Sequence, residues 1–63
     1  MDANSDKVNV RIVWTYEGAI DVIYDNGNVT HMKVDPAIVT SRVALLELYL
    51  EENNYNILQS IVG

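Results

Sequence analysis

The sequence predicts an α+β domain: a three-stranded antiparallel β-meander packed against one C-terminal α-helix, with a short second helix closing the chain. Three observations carry this prediction. Residues 8–34 hold three stretches in which apolar and polar side chains alternate, and alternation with period two is the mark of a half-buried strand. Glycine-containing turn signals separate them, "EG" at Glu17–Gly18 and "DNGN" at Asp25–Asn28. From Asp35 the apolar spacing then changes to the 3.6-residue period of a helix.

The first strand is "VNVRIVWTY", with Val8, Val10, Ile12, Trp14 and Tyr16 on one side and Asn9, Arg11, Val13 and Thr15 on the other. "AIDVIY" is the second and "VTHMKV" the third. Turn length decides how they register. Two-residue loops would turn Ala19, Asp21 and Ile23 to the Trp14 face and place a carboxylate in the core. Three-residue loops with Gly18 and Gly27 in the left-handed position remove that conflict. One face then carries Val8, Val10, Ile12, Trp14, Ile20, Val22, Tyr24, Thr30, Met32 and Val34. The other carries Asn9, Arg11, Val13, Thr15, Asp21, Ile23, Val29, His31 and Lys33. A one-residue slip inverts a whole strand, so hydrophobic consistency selects the second register.

The helix opens at "DPAIVTSR": Asp35 is a capping residue and Pro36 suits the first helical position. Val39, Val43, Leu46 and Leu50 make its apolar stripe, flanked by Ile38, Leu45 and Tyr49, and this broad stripe is expected to cover the apolar sheet face. Asn53 and Asn54 are suited to end it. In "YNILQSIVG", Tyr55, Leu58, Ile61 and Val62 fall at helical spacing and predict the short second helix, although an edge strand fits the same residues.

Sixty-three residues make a single domain, 1–63, with the polar segment 1–6 expected to be disordered. A chain this short buries only about 60% of the surface it exposes when unfolded, and commonly needs added support. It has no cysteine and one histidine, so neither a disulfide nor a metal cluster supplies it. Association with another chain is the remaining source, and a homodimer is expected. The composition, 49% hydrophobic, argues against disorder. No apolar run approaches the roughly 20 residues of a membrane span, and "MDANSDK" is neither a signal peptide nor a basic targeting segment. A soluble cytoplasmic protein is expected, with no membrane association.

Nine acidic against four basic residues give a net charge of −5. That balance argues against a phosphate backbone or anionic lipid as partner and favours a protein, one with a basic surface. A sheet-type nucleic-acid-binding domain is a distant alternative, since Arg11, Lys33 and His31 share the outer face with Asp21 and make no basic stripe. Catalytic and cofactor motifs are missing. No glycine-rich phosphate loop, nucleophile arrangement or metal-ligand spacing is present, and "DNGN" lacks the ligand spacing and closing glutamate of a calcium loop. Asp21 and His31 face each other across two strands, and an exposed cross-strand pair accounts for them. A non-enzyme is expected, without cofactor or metal.

The helix end holds the one oddity. Glu51 and Glu52 stand where the dipole is negative, at a cost of a few tenths to about 1 kcal/mol, and Glu47 repels Glu51 four residues away. Ala44 and Leu48 lie opposite the core stripe and make the helix back apolar. These five, Glu47, Glu51, Glu52, Leu48 and Ala44, are the candidate partner-binding residues, and Val13, Ile23 and Val29 on the outer sheet face are a secondary surface. The expected function is that of a small acidic protein-binding module, an inhibitor or adaptor. Many phage accessory proteins that inhibit host enzymes or defence systems share this profile, and for one of them the host cytoplasm is the expected location. A structural or regulatory homo-oligomer is the alternative.

Overall fold

Two glycine turns set the sheet. The computed structural model describes residues 8–63; the expectation of disorder over 1–6 lies outside them. Strands β1 (Val8–Trp14), β2 (Ala19–Tyr24) and β3 (Val29–Lys33) form the antiparallel meander. Ile12 lies opposite Val22, Trp14 opposite Ile20, and Ile20 opposite Met32. This is the register that keeps Asp21 out of the core. Both turns are three-residue loops, closed where the Thr15 N–H donates to the Ala19 carbonyl and the Tyr24 N–H to the Asn28 carbonyl. Gly18 and Gly27 occupy them at φ of 105° and 95°, where a side chain is strained.

Gly18 has a second reason to be glycine. A Cβ there would come within 2.0 Å of the Val34 carbonyl oxygen, because the chain leaving β3 is held against this turn. The Val34 N–H donates to the Gly18 carbonyl at 2.8 Å. The first turn therefore fixes where the chain enters its helix.

The sheet has four strands. Residues Tyr55–Val62 form β4, which pairs parallel to β1 and gives the order β3-β2-β1-β4. The expected second helix is thus corrected to a strand, and the antiparallel meander to a mixed sheet within the α+β class. An eight-residue helix is marginal, whereas the free edge of β1 offers these residues a full ladder of backbone partners. A β-bulge at Leu58 explains the misleading spacing. Val10 pairs with Ile57 and Arg11 with Gln59, so Leu58 is an extra residue and the alternation breaks there.

Asp35 starts the crossover, accepting a 3.0 Å hydrogen bond from the Ala37 N–H. It caps a short 3-10 turn, Pro36–Ile38, and α1 (Val39–Glu52) follows. Regular α geometry therefore begins at Val39 and not at Pro36, because Ile38 sits at φ −120° and ψ 8°, between the two windings. At the other end the asparagines act as expected. Asn54 takes the left-handed conformation at φ 66°, and its N–H donates to the Glu51 carbonyl. The Asn53 side-chain amide donates to the Tyr49 carbonyl at 2.7 Å. Terminal carbonyls that a lysine or arginine could serve are thus satisfied by asparagine.

Val10, Ile12, Ile20, Val22, Val39, Val43 and Leu50 form the buried core, with Trp14, Met32, Leu46 and Ile57 packed against it. Each fully buried side chain of this kind contributes roughly 1.5–3 kcal/mol. Tyr24 and Tyr55 meet at 5.5 Å between ring centroids, joining β2 to β4 across β1. The helix flank departs from expectation. Leu45 and Tyr49 are 61% and 60% exposed, and Ile38 is exposed as well. With β4 added beyond β1, the helix packs towards that side of the sheet and leaves β3 and its own near flank uncovered.

Candidate functional site

Helical winding sorts the exposed residues of α1 into two strips. At about 100° per residue, Leu48, Ala44, Glu51 and Glu47 fall on one strip that runs from opposite the core round to its edge, while Arg42, Leu45, Tyr49 and Glu52 fall on the flank nearer β3. Ala44, Leu48 and Glu51 are exposed together and Glu47 is half-buried. Glu52 is turned roughly 140° away from Glu47, so the three glutamates do not form one cluster. Leu48 is 58% exposed, at the edge of its strip next to the flank.

The sequence places Leu45 and Tyr49 as flanks of the core stripe, expected to be covered by the sheet, whereas both are exposed. With Met32, Arg42 and Leu46 they line an apolar cleft of about 280 Å³ between α1 and β3. Their spacing alone could have raised the alternative: Ile38, Arg42, Leu45, Tyr49 and Glu52 stand four and three apart in turn, the repeat of a helix–helix seam.

The outer sheet face is less continuous. Ile23 adjoins Val29, and Val13 adjoins Ile61, but Arg11 stands beside the first pair and Asp21 with His31 beside the second. Val13 and Ile23 are half-buried and Val29 is exposed. These secondary candidates are therefore two separate apolar pairs in a polar surround. A depression of about 150 Å³ lies beside the Leu58 bulge, lined by Asn9, Arg11, Ile23 and Asp25 among others. The Asp21 carboxylate and the His31 imidazole are hydrogen-bonded, with side chains 40% and 66% exposed. An exposed pair of this kind contributes at most about 1 kcal/mol.

Among the described residues, no group of three or more His, Asp or Glu side chains is placed to hold a metal ion. No helix among them is long and apolar enough to cross a membrane. Compared with known proteins, the chain matches no family model, no curated protein and no solved structure.

Proposed function

We propose that this chain is a small acidic, non-enzymatic protein-binding module, an inhibitor or adaptor that docks through the exposed side of α1. One observation carries the reading. Leu45, Leu48 and Tyr49 are each about 60% exposed within little more than one turn, with Glu51 and Glu52 beside them and half-buried Glu47 one turn back from Glu51. A contiguous apolar centre with a charged rim is the anatomy of an interface, and single exposed leucines are not. The carboxylates select a partner with lysine or arginine at its rim and speed encounter with it. A structural or regulatory homo-oligomer is the second reading, favoured by the seam-like spacing along the flank.

Affinity capture with the immobilised chain tests the first reading, with two variants as controls. Leu48→Ser removes the apolar centre of the strip, and the double variant Glu47→Gln, Glu51→Gln removes its charge without changing size. A genuine partner is retained by the wild type, lost with either variant and released progressively by salt. A captured protein held equally by all three, with no salt dependence, would refute the reading.

A further inference from the structure

We infer that a second copy of this chain docks on the flank of α1, the two helices running antiparallel about a two-fold axis level with position 47. The flank is self-complementary about that position. Arg42 lies five residues before it and Glu52 five after; Leu45 lies two before and Tyr49 two after. An antiparallel copy therefore sets Arg42 against Glu52 of its mate and Leu45 against Tyr49, and the two-fold repeats both contacts. A parallel copy would set arginine against arginine and glutamate against glutamate. The charge order thus chooses both the occupant and its direction.

Three features of the flank fit that occupant. Among the described residues neither Arg42 nor Glu52 has an ion-pair partner, so both are available to the second copy. The cleft between α1 and β3 opens beside Leu45 and Tyr49 and gives the incoming side chains an apolar wall of Met32 and Leu46. The spacing from Arg42 through Leu45 and Tyr49 to Glu52, three, four and three residues, keeps one seam facing the partner along α1. Glu52, which stands at the unfavourable end of its own helix dipole, gains a cation there. The inference rests on the homo-oligomer reading; it shares Leu45, Tyr49 and Glu52 with the protein-binding surface and leaves Ala44, Leu48 and Glu51 open, the residues that the capture variants address. The two can fail separately.

Sedimentation velocity at micromolar concentration, on the wild type and on two charge reversals, tests the pairing. Arg42 and Glu52 are both exposed, so neither reversal disturbs the core. The wild type is expected to sediment as a dimer. Arg42→Glu alone and Glu52→Arg alone each set like charges together twice, and dimerisation should weaken about tenfold or more. Mixing the two single variants restores both pairs between unlike chains, and a heterodimer is expected. That recovery would also prove both variants folded. A monomeric wild type, single variants that stay dimeric, or a mixture that stays monomeric would each overturn the inference.

Discussion

The side-chain amide of Asn56 donates a 2.9 Å hydrogen bond to the side-chain oxygen of Asn9, between residues 47 positions apart. It lies across the parallel pair β1–β4, where Asn9 and Asn56 stand opposite each other. The pair makes visible what closes this fold: the last strand returns to lie beside the first. Without β4, one edge of β1 would be bare and α1 would lose the strand it packs against.

Ending the chain at Asn54 should therefore abolish cooperative folding, although every strand of the meander and the whole helix remain. Circular dichroism and Trp14 fluorescence during a urea titration would report it. A truncated chain with a sharp unfolding transition would mean that β4 is dispensable. Asn56→Ala, by contrast, removes one exposed hydrogen bond and should cost no more than about 1 kcal/mol.

Ile12 is fully buried and Asp21 is on the solvent side of the same sheet. Ile12→Ala should cost about 2–5 kcal/mol, enough to unfold much of a domain this small. Asp21→Ala should change stability by less than about 1 kcal/mol. The reverse order in chemical denaturation would contradict the observed register.

The two turn glycines should separate in experiment. Gly27→Ala meets open space and carries only the strain of its positive φ, about 1–2 kcal/mol. Gly18→Ala adds a clash with the Val34 carbonyl and should be clearly worse, since the turn or the helix entry must move. Equal losses for the two variants would show that the Gly18–Val34 contact is unimportant.

At the helix end, Glu51→Lys should stabilise the fold by roughly 0.5–1 kcal/mol. It places a cation at the negative end of the dipole and turns the Glu47–Glu51 repulsion into an attraction. The gain should shrink in high salt. A loss of stability would mean that Glu51 has a structural task beyond the solvated surface.

The sequence by itself determined the local half of this protein. Alternation in Val8–Trp14 and Ala19–Tyr24, with glycine at the only loop positions that keep Asp21 outside, was sufficient to set the meander and its register, because a slip of one residue exposes a whole apolar face. The caps at Asp35 and Asn54 were equally legible, being properties of a few neighbouring residues. So was the exposure of Ala44, Leu48 and Glu51, which follows from helical winding alone. What only the tertiary structure decided was β4 and everything downstream of it. A bulge at Leu58 breaks the alternation, so Tyr55, Leu58 and Ile61 imitate a helix, and the true partner of the segment lies at the far end of the chain. Where β4 pairs then decides where α1 settles. Leu45 and Tyr49 lie on the flank of the apolar stripe, and they stay open because a helix is narrower than four strands and packs towards the side that β4 extends.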